Sequence, residues 1–531
     1  MASKDIVTTI KHALIYSASG IIGKAVGFVM LPVYAGYLRG EGYGIIGMID
    51  VVISVLVILV GYGMQGAISR LYYEKDTQTE RNKILSTAIS LMLISLVIIS
   101  LPVIIFNNQI AWLAFGKTHL GHYIIIAVLI FISDMSSKSA EMYILINEES
   151  LFYATLSFFR LVLALALNIF FIVYMKLGVL GYLYSGLITG VLFSIIIHWY
   201  ALKNVGFYFA KNFVKDILEF TLPLLPGYIA MFIRTNVDRI LLRAFLGLSQ
   251  LGAFEILFKF ATLIGVLVVT PFLKIWGVKR FEIADNKDGP ETMAKVFTLM
   301  FSFLLFFGLV LGVEIPVIIK ILTPHEFWIG GYVAGLAVLS RIILSCYYHF
   351  FFGLLYSKKT SVISQIQLFT TIFNVVFALL LIKPFGILGA VIVSCLTNTF
   401  QCLLALRMAN HYYKIPFEWS RIITILVLAI FLFIPINALS VMKIGTLAGW
   451  FVQNLTYPLE NLLLFFQLDA FKEGKFVFYI LGNIPLFIDG IIKFVFSLLF
   501  VLILVCTDTT LRHKIVKTLK YRSFKQLLMD S

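Results

Sequence analysis

The chain has 531 residues, of which 60% are hydrophobic and only 13% charged, with a formal net charge of +15. Soluble globular domains carry about 25% charged and about 45–50% apolar residues, so a soluble domain is excluded. Apolar runs of roughly 20 residues or more also exclude a membrane β-barrel, whose strands are about 10 residues of alternating pattern.

In chain order the first six predicted spans cover about 12–38, 43–67, 84–106, 122–146, 151–175 and 178–200. The next six cover about 221–246, 250–273, 296–322, 328–356, 360–382 and 386–408, and the last two about 421–441 and 486–506. The first run is too long for a secretory signal and lacks a cleavage pattern, so it stays as the first membrane helix. Between the sixth and seventh spans, "FYFAKNFVKDILEF" (207–220) is amphipathic and bridges the two groups of six. Between the last two lies a long loop, about 442–485. Its segment "GWFVQNLTYPLENLLLFF" (449–466), with aromatics and a broken apolar pattern, suits an interfacial or partly embedded helix.

Cys346, Cys395, Cys402 and Cys506 are scattered through apolar spans with no CxxC, which gives neither a disulfide framework nor thiol chemistry. His119 and His122 sit three apart in a loop, weak spacing for a metal. No metal and no cofactor are expected.

Loop charges set the orientation. With the N-terminus in the cytoplasm, about 25 Lys and Arg fall on the cytoplasmic side and about 7 on the other. Both termini are therefore expected inside. The positive net charge is then mostly a topology signal, and no nucleic-acid partner is expected. The basic tail can also touch anionic lipid heads.

The sequence partly falls on itself at an offset of 208 residues: "YLRGEGYG" (37–44) on "FLGLSQLG" (245–252), "YYE" (72–74) on "RFE" (280–282), and "GVLG" (178–181) on "GILG" (386–389). Because six spans separate the copies, the halves enter the membrane the same way. The expected fold class is all-α: a polytopic membrane protein of about 14 helices, with two parallel six-helix repeats around a central cavity. The expected divisions are an N-lobe (1–204), a C-lobe (205–414), and the last two helices with the outer loop and tail (415–531).

Ionisable residues inside spans are the candidate functional residues. A central Arg or Lys costs roughly 2.5–3.5 kcal/mol on insertion scales and normally faces the bundle interior or water. Lys24, Arg234, Arg341 and Lys259 are central, whereas Arg243, Lys320 and Lys493 lie near span ends and can snorkel. Lys24 shifted by the offset lands two residues from Arg234. Asp134, Lys138 and Glu141 share one face of the fourth span, and Arg341, Ser345 and Tyr348 one face of the tenth. In "RTNVDRILLR" (234–243), Arg234 and Asp238 point roughly 40° apart, whereas Arg239 and Arg243 are displaced by roughly 140–180°. The four cannot line one narrow face, so some must meet a neighbouring helix or the outer mouth. Two pairs, Asp134 with Lys138 and Arg234 with Asp238, have the spacing to neutralise one another. Elsewhere bases outnumber acids, and surplus positive charge suits an anionic ligand, above all phosphate or diphosphate. Asp50, Glu255 and Glu314 are acids in spans that could couple a proton or sodium ion.

The stretches "GIIGKAVGFVMLPVYAGYLRGEGYG" (20–44), "GYGMQGAISRLYYE" (61–74) and "LPLLPGYIAMFIRTNVDRILL" (222–242) carry a further signal. With the parallel repeat, they resemble the multidrug/oligosaccharidyl-lipid/polysaccharide exporter superfamily, and within it the polysaccharide-synthesis branch. The likeness covers about residues 10–410. It implies a flippase moving a polyprenyl-diphosphate-linked oligosaccharide from the inner to the outer leaflet of the cytoplasmic membrane by alternating access, for polysaccharides such as O-antigen. Lys24, Arg70 and Arg234 match positions where the branch tends to be basic. Expected partners are that glycolipid and membrane lipid, with a polysaccharide polymerase complex as a further candidate; a monomer is expected. The outer segment 442–485 is longer than the branch leads one to expect.

On these readings the headgroup site comprises Lys24, Arg234 and Arg341, with Lys138, Lys259, Arg239 and Arg70 in support. The rivals are multidrug efflux, which predicts acids dominating the cavity, and a flippase for a lipid II-type peptidoglycan precursor. A membrane enzyme would need paired carboxylates or a His on an outer loop. Glu460, Asp469 and Glu473 of the long outer loop form no tight constellation, so no enzyme is expected.

Overall fold

The computed structural model describes residues 27–28, 30–60 and 64–439, with Gly490, Lys493, Phe494, Ser497, Leu498 and Phe500 near the C-terminus. The outer segment 442–485, the basic tail and Lys24 lie outside the described residues. Every regular element among those described is helical. They are α1 (Leu31–Val60), α2 (Met64–Tyr73), α3 (Gln78–Ile105), α4 (Asn107–Phe115), α5 (Gly121–Ile146), α6 (Ser150–Asn168), α7 (Val179–Val205) and α8 (Lys211–Thr221). Then come α9 (Leu225–Leu246), α10 (Leu248–Ala261), α11 (Thr270–Ala284), α12 (Gly289–Leu322), α13 (Ala334–Phe350), α14 (Thr360–Tyr412) and α15 (Trp419–Leu439).

Among the described residues, 9 helices are long and apolar enough to cross a membrane. The chain is a multi-pass, all-α membrane protein. Helix α9, with its four ionisable residues, is not among the nine.

Apolar pattern found the membrane portions better than the helix ends. The first two expected spans meet inside α1, where the chain turns at Arg39 (φ 61, ψ −179). The eleventh and twelfth meet inside α14 at Gly386 (φ 60, ψ −132). The span expected to end near 273 continues as helix to Ala284, through a π turn over Gly265–Val269. Its last turns, "WGVKRFEIA", are too polar to register as membrane yet stay helical through Gly277. A short helix, α4, fills a stretch expected to be loop. It ends at Gly116, whose positive φ (75) lets its N–H reach the Trp112 carbonyl.

The chain divides into two compact units. The first is Met1–Glu255 with Gln367–Ala390; the second is Ile256–Ile366 with Val391–Ser531. In the first unit, α5 packs along α7 and α3. Its buried Ser133, Ser136, Ser137 and Ser139 donate to carbonyls three or four residues back, so close packing costs no unsatisfied hydroxyl. The amphipathic linker before α9 is tied to α3: Tyr208 N–H donates to Ser86 Oγ (2.7 Å) and Ala210 N–H to Thr87 Oγ1 (3.0 Å). In the second unit, α12 packs on α13 and α15. Leu309 and Val313 meet Leu432 and Phe433, and the Phe433 ring fills the space left by Gly312 and Gly335.

The 208-residue offset recurs in the geometry of the first unit. Gly178 (φ 56, ψ −127) and Gly386 (φ 60, ψ −132) share one backbone conformation. Arg39 and Gly247, also 208 apart, both have positive φ. Gly44 lies against the Leu248 carbonyl, and Gly252 against the Gly40 carbonyl, so closely that neither glycine has room for a Cβ. Adding the offset to the pair 40 and 44 gives 248 and 252. The two contacts are therefore equivalent, each copy lending its glycine to the other's carbonyl.

Candidate functional site

Helix α9 gathers three of the candidate residues with their partners. Arg234, near its middle, donates from Nη1 to Gln367 Oε1 on α14 (2.9 Å). One turn beyond Gln367, Thr371 Oγ1 bonds its own helix at the Gln367 carbonyl (2.8 Å) and reaches the Ala230 carbonyl of α9 (3.4 Å). Arg239 forms a two-pronged ion pair with Glu255 of α10, Nε to Oε1 at 2.5 Å and Nη2 to Oε2 at 3.0 Å. Gly47 of α1 packs against Glu255: a Cβ there would come 3.0 Å from Oε1, so a larger residue would press on this carboxylate. Arg243 donates to the Trp112 carbonyl (3.0 Å) at the C-terminal end of α4, where a cation suits the helix dipole. The arginines thus diverge as helical spacing requires. Asp238 is buried, and Asp50, one turn beyond Gly47, is exposed.

The charges of α5 find different partners from those its spacing suggested. Lys138 bonds Glu141 (2.9 and 3.2 Å), three residues on rather than four back. Asp134 is held by Arg160 of α6 at 2.5 Å. Arg160 was not among the sequence candidates. The signal for it was present: Tyr153, Ser157, Arg160 and Asn168 fall on one side of an otherwise apolar helix.

The remaining candidates separate. Arg70 pairs with Glu74 one turn along, with 64% of its side chain exposed. Arg341, Lys259 and Glu314 belong to the second unit. Arg341 stacks its guanidinium 4.8 Å from the Phe258 ring centroid. Glu314 sits beside Gly490, where a Cβ would come 2.9 Å from Oε2. Lys493, expected to snorkel, is 5% exposed and so is buried instead. Among the described residues, no group of three or more His, Cys, Asp or Glu could hold a metal ion.

Residues 9–274 match the family described as "Polysaccharide biosynthesis protein". The chain belongs to this family. It falls in the polysaccharide-synthesis branch of the exporter superfamily that its opening motifs resemble. The matched half contains Arg70, Arg234, Arg239 and Glu255. A relative in Haloferax volcanii, named probable low-salt glycan biosynthesis flippase Agl15, is 21% identical over 460 residues, covering 82% of this chain and 92% of the relative. Among solved structures, the lipid II flippase MurJ in an inward closed conformation is similar with a TM-score of 0.65 at 16% identity, covering 80% of this chain and 92% of that one. An inward-facing multidrug resistance MATE transporter is similar with a TM-score of 0.54 at 15% identity, covering 73% and 94%. At these identities the two structures speak for the fold alone.

Proposed function

We propose that the protein is a flippase that carries a polyprenyl-diphosphate-linked oligosaccharide from the inner to the outer leaflet of the cytoplasmic membrane, for cell-surface polysaccharide synthesis. Family membership and the glycan-flippase relative support the class. The observation that carries the substrate reading is Arg234: a guanidinium midway along α9, in a span expected from the apolar pattern, hydrogen-bonded to the amide oxygen of Gln367. A cation at that depth marks a pathway, and its planar fork suits a phosphate oxygen pair.

In this reading Arg234, Lys24 and Arg341 recognise the diphosphate, with Arg239, Lys138, Lys259 and Arg70 shaping the surrounding field. The oligosaccharide occupies a wet cavity, and the polyprenyl tail stays in lipid. The lobes 1–204 and 205–414 rock to expose the headgroup to each side, with both termini cytoplasmic. Asp50, Glu255 and Glu314 are the acids available for ion coupling. Arg239 engages Glu255 in the conformation described.

The test is Arg234→Ala in cells, alone and with Lys24→Ala. Lipid-linked oligosaccharide should accumulate in the inner leaflet and surface polymer should fall, with the protein still present in the membrane. Normal export from the double variant would reject the substrate reading.

A further inference from the structure

Arg160 and Asp134 form an ion pair that stability alone does not account for. Both lie near the middle of their helices, yet the pair is far from dry: 31% of the Arg160 side chain and 40% of the Asp134 side chain are exposed. At bilayer depth an exposed ion pair is tolerated only where it looks onto water or a polar ligand. The helix itself says which side that is. Leu151 (72%), Phe158 (53%), Phe159 (65%) and Val162 (47%) are the most exposed large apolar residues of α6, with Leu163 (36%) at the edge, and this face suits lipid. Phe158 and Val162 lie about 160° from Arg160 around the helix. Arg160 instead shares its side with Tyr153, Ser157 and Asn168. Its guanidinium rests 4.8 Å from the ring centroid of buried Phe193 on α7. Gly190, one turn before Phe193, clears the space at the pair: a Cβ there would come 3.3 Å from Asp134 Oδ1 and 3.8 Å from Arg160 Nη2. Lys138, one turn beyond Asp134, is likewise held by a carboxylate with 42% of its side chain exposed. Two partly exposed cations, Arg160 and Lys138, thus each have a carboxylate as resting partner.

We propose that Arg160 is a headgroup-binding residue and that Asp134 is its resting counter-ion, displaced when an anionic diphosphate enters. The assignment rests on the flippase reading above. The Phe193 ring, and a glycine at 190 that puts no side chain against the pair, let the guanidinium turn from one oxyanion to another without leaving its packed seat. A carboxylate that holds the site between cycles also favours release, because it competes with the departing headgroup.

The test uses the full-length protein in lipid nanodiscs, with geranylgeranyl diphosphate as probe and geranylgeraniol as the uncharged control. Arg160→Gln should weaken diphosphate binding about tenfold, the value of one lost charge-assisted contact, and leave the alcohol unchanged. Arg160→Lys should recover part of the loss. Asp134→Asn, which keeps the shape but removes the competing charge, should tighten diphosphate binding severalfold. The double variant should behave as Arg160→Gln. Equal weakening by Asp134→Asn and Arg160→Gln, or no change from either, would overturn the assignment while leaving the flippase reading intact if Arg234→Ala still weakens binding. A wild-type protein that does not prefer the diphosphate over the alcohol would overturn both.

Discussion

On α5, Asp134, Lys138 and Glu141 find opposite charges close by, so that two bases and two acids balance. On α9, three arginines go to three different acceptors: an amide for Arg234, a carboxylate for Arg239 and a main-chain carbonyl for Arg243. The first region is locally neutral and half-open to solvent. The second spreads its arginines over acceptors of three kinds, and the Arg239–Glu255 ion pair is more enclosed, with 25% of Arg239 and 15% of Glu255 exposed. Two solutions to charge in a membrane thus lie within one compact unit. Pairs formed close by tolerate water, whereas arginines that diverge from one helix rely on enclosure and directed hydrogen bonds.

The contrast can be broken most directly at Glu255. Its replacement by Ala strands Arg239 in an enclosed site, and the expected loss is about 3–5 kcal/mol. It is read as a lower unfolding temperature in detergent. The exchange Arg239→Glu with Glu255→Arg should recover much of it. A small loss would place this pair with the solvated ones. Glu141→Ala removes the equivalent partner from α5, but Lys138 can turn to water, so a loss of about 1–2 kcal/mol is expected. A loss as large as that at Glu255 would erase the distinction between the regions. Arg234→Met, which removes the hydrogen bond to Gln367, should cost about 1 kcal/mol in stability. Its effect on transport should be far larger than its effect on unfolding temperature. The smallest change belongs to Glu74→Gln: its pair with Arg70 is exposed on both sides, and a shift below about 0.5 kcal/mol is expected.

Much of this arrangement was legible from residue order. Span positions follow from apolar run length, which the bilayer imposes directly, and the divergence of Arg234, Arg239 and Arg243 follows from 3.6 residues per turn. What spacing could not supply was the partner across a helix interface. Arg160 reaches Asp134 from 26 residues away, and Gln367 reaches Arg234 from 133. Neither separation leaves a periodic trace. Lys138 chose Glu141 over Asp134 although both lie within one turn, because Asp134 was already engaged by α6. Lys493 looked like a snorkelling residue by its position, yet burial depends on which helix covers it, and the sequence of its own helix does not reveal that.

The paired glycine contacts carry a consequence of their own. Contacts related in this way are isologous, the form taken by two-fold symmetric dimers. A chain of half this length would present both the glycine and the carbonyl that seats it, so two separate copies could mate through the same joint. Within one chain each side is free to differ, and residue 40 with its counterpart 248 shows it: glycine at one, leucine at the other, with the main-chain oxygen in the same role. A joint built on backbone atoms can outlast the side chains around it.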